Sequence, residues 1–142
     1  MKDFLIKLTN KQFDELNEHF PIPNKTTSSV VGNRAEKLIK LYFLKNDIDA
    51  TFSNPDDGAD LLINTTGKTF RIEIKGTSQL SLNMNNIKVT GKRSYDLLRS
   101  GLPLYRVTGV FTKIPKVYIL DYGTDYTLDA EQRWVARPVK KA

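Results

Sequence analysis

Apolar residues recur along this chain with two different periods, and each change of period marks an element. Phe13, Leu16 and Phe20 form a helical stripe behind Thr9-Asn10-Lys11-Gln12, whose Thr and Gln fit a capping box, so a short helix is predicted to about Phe20. Pro21-Ile22-Pro23 stops it, and residues 24–29 read as a polar loop. A second stripe, Ala35, Leu38, Ile39 and Tyr42, predicts a helix over about 32–45 with Glu36 on the flank of the stripe. A strand is predicted at about 48–52, then a loop over 53–59. Two strand-like arms follow, Asp60-Leu61-Leu62-Ile63-Asn64 and Thr69-Phe70-Arg71-Ile72-Glu73-Ile74-Lys75, around Thr65-Thr66-Gly67-Lys68. Residues 78–89 show no clear period and fit a loop with a short strand. A short helix is predicted over 91–100, closed by Gly101 and Pro103, and two strands over 104–111 and 116–122. The whole chain, 1–142, reads as one domain. Residues 1–31 form an N-terminal helical appendage (lid, dimer contact and packing element all being open), 32–122 a core, and 123–142 a basic tail.

The central hairpin specifies a register. Closed by a two-residue or a four-residue loop, it faces residues whose numbers sum to 133, which sets Asp60 opposite Glu73. Leu61, Ile63, Phe70, Ile72 and Ile74 then share one face, and Asp60, Arg71, Glu73 and Lys75 the other. Like charges facing each other destabilise a sheet, so a purely structural hairpin is expected to avoid this pair. A divalent cation between the carboxylates removes the penalty, and spacing alone therefore points to a metal site. Mg²⁺ takes one or two protein carboxylates, and a main-chain carbonyl such as that of Ile74 can add an oxygen. Plainer readings stand beside this one. Asp60 can cap the turn Asp56-Asp57-Gly58-Ala59, and Glu73 and Lys75 can form a solvated ion-pair network with Arg71. Glu36 can pair with Lys40 one turn on. Asp57 competes with Asp60 for the metal role, but it lies outside the strand.

Composition narrows the chemistry. With no cysteine and the single histidine, His19, on the first helix, thiolate zinc sites, cysteine nucleophiles and histidine-based catalysis are excluded. No G-x-G-x-x-G or G-K-[ST] loop is present, so no nucleotide cofactor is expected. No apolar run matches a signal peptide or a bilayer span, and a soluble, cytoplasmic protein without membrane partners is the expectation. The net charge is +6, split as 8 Lys/Arg against 10 Asp/Glu in residues 1–60 and 14 against 6 in residues 61–142. That second half, at 14 − 6 = +8, suits a polyanionic partner. Lys88, Lys92, Arg93 and Arg99 follow the hairpin, with Tyr95 among them, and Arg133, Arg137, Lys140 and Lys141 close the tail. A solvated basic surface is the plainer alternative.

Asp60 followed after a short hairpin by Glu73-Ile74-Lys75 resembles the core motif of the PD-(D/E)xK nuclease superfamily, the restriction-endonuclease-like enzymes. Gly32-Asn33-Arg34-Ala35-Glu36 resembles the helix-borne glutamate that many members place upstream, and Gln79 a polar position that some branches add. The likeness spans roughly residues 32–120. It implies an α/β fold with a three-layer αβββαβ core, a mixed central sheet flanked by helices. It also implies metal-dependent hydrolysis of phosphodiester bonds, most of all in DNA. Asp60, Glu73, Lys75 and an accessory Glu36 would be catalytic, Asp60, Glu73 and Ile74 would hold Mg²⁺ (or Mn²⁺), and Lys88, Lys92, Arg93, Arg99 and Gln79 would contact the nucleic acid. The small size favours structure-directed or low-specificity cleavage. A homodimer is the simplest route to double-strand cleavage, with Phe13 and Phe20 or the tail around Trp134 as candidate contacts. The rival expectation is a non-catalytic nucleic-acid-binding or interaction subunit on the same fold.

Overall fold

The hairpin around Gly67 sets the sheet. In the computed structural model, which describes residues 1–23, 28–131 and 134–139, β1 is Lys2–Leu5, α1 Asn10–His19, α2 Ser28–Asn46, β2 Thr51–Ser53, β3 Leu61–Thr65 and β4 Lys68–Gly76. A single 3₁₀ turn at Met84–Asn86 precedes α3 (Lys92–Arg99), β5 (Leu104–Thr108) and β6 (Lys116–Leu120). β3 and β4 pair from Leu61↔Ile72 to Thr65↔Lys68, the predicted register, through a two-residue turn in which Gly67 takes φ +82°. Such a turn needs positive φ, which glycine adopts without strain. β4 outruns β3 and pairs in parallel with β5, from Glu73↔Leu104 to Gly76↔Val107. A parallel pair requires a crossover, and α3 supplies it. The six strands lie in the order β1-β6-β5-β4-β3-β2, a mixed sheet.

Strand alternation divides the apolar side chains between two faces. Leu61, Ile63, Ile72, Tyr105, Val107 and Val117 join Leu16 of α1 and Ala35, Leu38 and Ile39 of α2 in one cluster. Leu104 and Leu120 join Leu98 of α3 in the other. A Cβ on Gly76 would lie 2.7 Å from that of Ala35, so this glycine lets α2 approach the end of β4. Arg34, inside the motif on α2, is wholly buried. Its Nη1 donates to the Phe20 carbonyl at 2.9 Å, its Nε to that of Val110, and its guanidinium lies over Phe13 and Phe111. Burial holds its pKa below the ordinary arginine value.

The N-terminal unit differs from expectation. α1 forms with its capping box of Thr9 and Gln12, but residues 1–31 are no appendage. β1 is an edge strand on β6, α1 buries Leu16, and Phe13 and Phe20 pack on this chain's own core rather than standing free for a partner. β1 escapes sequence reading because only Phe4 of its four residues is even partly covered. α2 starts at Ser28, within the stretch read as loop, and β2 starts at Thr51, leaving Ile48 87 % exposed. β5 and β6 stop at Thr108 and Leu120, where Gly109 takes φ +61° and a turn begins at Asp121. Among the described residues no helix is long and apolar enough to cross a membrane.

Candidate active site

Regular β3–β4 pairing ends at Leu61↔Ile72. Asp60 does not continue the ladder opposite Glu73. Its N–H donates to the Ile72 carbonyl at 3.1 Å, while the Glu73 N–H turns the other way to Pro103 at 2.9 Å. An offset of this kind, like a β-bulge, re-aims the side chain that carries it. Asp60 Oδ2 accepts from the Ile74 N–H at 2.8 Å, and the Ile74 carbonyl points to the same open edge of β4 because a strand residue directs both groups one way.

Glu73 alternates with Ile72 and Ile74 and so faces the α3 side, where it is 2 % exposed while Asp60 is exposed. Burial pushes its pKa up to about 8, and the hydrogen bond and charge of Asp60 push in the same direction. The Lys75 charge and a hydrogen bond with Ser94 of α3 pull against them. One oxygen, Glu73 Oε2, is buried without a partner. The two carboxyl groups therefore meet, as predicted, although the backbone does not set them face to face.

Glu36 comes to the same place from α2. A recess of about 200 Å³ is lined by Gly32, Asn33, Glu36, Asp60 and Ile74. Glu36 also sits 3.8 Å from Lys40, its plainer partner. Neither Glu73 nor Lys75 lines the recess: the first is beneath Asp60, and the second, half-buried, shares the Glu73 face. Turn capping falls to Asp57, whose Oδ1 accepts from the Ala59 N–H at 3.1 Å and whose other oxygen pairs with Arg71. That leaves Asp60 for β4.

Among the described residues no three His, Cys, Asp or Glu side chains gather closely enough to cage a metal. The Asp60 and Glu73 carboxyl groups, with Glu73 Oε2 left unpartnered and the Ile74 main chain against Asp60, are hard oxygen donors of the kind that fit Mg²⁺, which fills its remaining positions with water and substrate oxygens. No family model, no curated protein and no solved structure matches this chain.

The predicted nucleic-acid contacts are scattered and mostly engaged. Lys88 pairs with Glu131 at 3.6 Å and Lys92 with Asp96 at 2.8 Å. Arg93 Nη2 donates to the Asp56 carbonyl, and Arg99 stacks over Tyr95 and Tyr122. Gln79 Oε1 accepts from Asn86 Nδ2 at 2.8 Å. Arg133, Lys140 and Lys141 lie outside the described residues. Sequence reasoning missed Ser94, which reaches Glu73 only because the crossover lays α3 over β4. It also missed Arg106, the parallel partner of Lys75, which is buried and donates from Nη1 to the Gly76 carbonyl at 3.1 Å. An arginine inside a strand of apolar residues was the available signal for the second; the first had none.

Proposed function

We propose that this chain is a divalent-metal-dependent nuclease of the PD-(D/E)xK type, built on a restriction-endonuclease-like three-layer core and acting on DNA. One observation carries the reading: a buried Glu73 carboxyl held against Asp60 at the open edge of β4, within hydrogen-bond reach of it. A carboxyl buried against a second one can lose its proton only at a cost to the fold, and a pair so perturbed is the arrangement expected of a functional site. The order α2, β2, β3, β4, α3, β5 supports it as well, since it follows the αβββαβ series.

Asp60, Glu73 and the Ile74 carbonyl would hold the ion, with Glu36 reaching its water shell from the recess. A bound Mg²⁺ offsets charge on the scissile phosphate and makes water a stronger acid. The protein's own groups do the rest. The Ile74 N–H fixes Asp60 in orientation, the buried position of Glu73 excludes bulk water behind the pair, and the Lys75 side chain binds a non-bridging phosphate oxygen as the ammonium or takes a proton from the attacking water as the free amine. One such site cuts one strand, so cleavage of both calls for a two-fold pair. The interaction-subunit reading draws on the tail, where Trp134 is 92 % exposed and Val139 equally so.

The deciding experiment is plasmid nicking with Mg²⁺ or Mn²⁺. Activity is expected to vanish with chelator and in Lys75→Ala, and to fall less in Glu36→Ala. Cleavage that survives both Asp60→Ala and Glu73→Ala removes the assignment, and no cleavage by the wild type on any DNA form favours the interaction subunit.

A further inference from the structure

Among the described residues three side-chain oxygens are buried without a hydrogen-bond partner: Asn17 Oδ1 on α1 and, in the second half of the chain, Glu73 Oε2 and the hydroxyl of Tyr126. Buried polar groups are nearly always satisfied, so orphans call for a physical account. The sheet register brings the last two into one layer. Glu73 faces Leu104 across β4–β5, and Leu104 faces Leu120 across β5–β6, so the three form a row on the α3 side. Tyr126 packs on the cluster that contains Leu104 and Leu120.

Tyr126 is held there by the turn after β6. The Gly123 N–H donates to the Tyr126 carbonyl at 2.8 Å, and the Asp121 N–H donates to Asp125 Oδ2 at 2.8 Å. The Tyr126 ring stands edge-on to Tyr122 at 5.7 Å. Its hydroxyl is pushed up to about 12, by burial first, then by the charges of Asp121 and Glu73, so the Glu73 carboxylate acts on it electrostatically.

We propose that the Tyr126 hydroxyl couples to Glu73 Oε2 through a bridging water, and that Tyr126 is thereby a positioning residue for the carboxylate pair. A water between two such groups satisfies both at once. The turn at residues 121–126, outside the span that resembles the nuclease motif, then becomes part of the site. An outer partner that orients a metal-binding carboxylate typically changes metal affinity about 10–100-fold. The contact stands on the fold; its consequence for the ion rests on the nuclease reading.

The test has two arms, both on the full chain. In metal-free urea unfolding, Tyr126→Phe is compared in the wild type and in Glu73→Leu, with Glu73→Gln as a second background should the leucine variant fold poorly. Coupling predicts that Tyr126→Phe lowers the wild-type midpoint and raises or spares it once Glu73 is leucine. Equal effects in both backgrounds overturn the contact. In the second arm, Mn²⁺ titration and DNA cleavage are followed in Tyr126→Phe. Mn²⁺ affinity is expected to fall about 10–100-fold and kcat to drop with KM for DNA unchanged. Unchanged Mn²⁺ affinity in a variant whose wild type binds the ion overturns the positioning role. Stability coupling together with no Mn²⁺ binding by the wild type keeps the contact and overturns the nuclease reading instead.

Discussion

Beneath the exposed Asp60, the Glu73 carboxyl holds its proton far above the ordinary glutamate range, to about pH 8, chiefly because burial penalises its charge. The consequence for stability has a definite sign. Between the ordinary value of 4.5 and about 8 the folded chain binds a proton that the unfolded chain has lost. The stabilisation from this group is therefore complete below about pH 4.5 and is lost as pH rises to about 8, at no more than about 1.4 kcal/mol per pH unit, shared between the coupled carboxyls. Urea midpoints of the metal-free protein should fall across that window, and Glu73→Gln should flatten the slope; a midpoint that rises instead would refute the burial account. Because a cation must displace the proton, Mn²⁺ affinity should rise over the same window. Gly32 carries a second residue-scale expectation. It lies inside α2 at an ordinary helical φ, and a Cβ there would meet nothing within 4 Å. Glycine in a helix interior is about 1 kcal/mol less favourable than alanine. The fold has no use for it, but it lines the recess with Glu36 and Asp60. Gly32→Ala should raise stability by about 0.5–1 kcal/mol while reducing cleavage, and a variant that cleaves like wild type would show that no ligand needs that space.

At the scale of elements, the loop before β3 decides where Asp60 points. Arg93 of α3 donates to the Asp56 carbonyl, and its Cβ would lie 3.3 Å from a Cβ on Gly58, so α3 and this loop are locked together. Arg93→Ala should cost about 1 kcal/mol of stability and reduce kcat by loosening Asp60; a loss confined to KM for DNA would make Arg93 a phosphate contact instead. The hairpin itself was legible from sequence, because strand alternation and the Gly67 turn admit one register that buries Leu61, Ile63 and Ile72. The offset at Asp60 was not. It depends on Asp57 and Arg71 pairing with each other and on the Pro103 carbonyl claiming the Glu73 N–H, contacts made by residues distant in sequence. The helices were legible from their stripes, yet β1 was not, since an edge strand with one half-covered side chain leaves no alternation to read. Ser94 and Tyr126 carry no local signal at all; only the parallel crossover and the turn after β6 bring them to the Glu73 face.

For the molecule as a whole, the charge imbalance between 61–142 and 1–60 does not survive folding as two separate territories. β1 pairs with β6 at one side of the sheet and β2 with β3 at the other, which interleaves the halves. The predicted contacts therefore have to be weighed singly. Arg93 and Arg99 are committed to the Asp56 carbonyl and to two tyrosine rings. Lys92 differs: its side chain is 86 % exposed, and its Asp96 partner is a solvated pair one turn away, worth little and easily exchanged for a phosphate. Each phosphate neutralised on duplex DNA contributes about −0.9 to the slope of log affinity against log salt. In a Lys75→Ala background, where binding is measured without cleavage, Lys92→Ala should reduce that slope by about 0.9 and weaken all sequences alike. Adding Arg93→Ala should lower the melting temperature but leave the slope nearly where Lys92→Ala put it. A combined change of about 2 would place Arg93 on the DNA path, its bond to Asp56 notwithstanding. No change from either would move the path off α3 altogether and leave Arg137, with the exposed tail around Trp134, as the basic surface to test next.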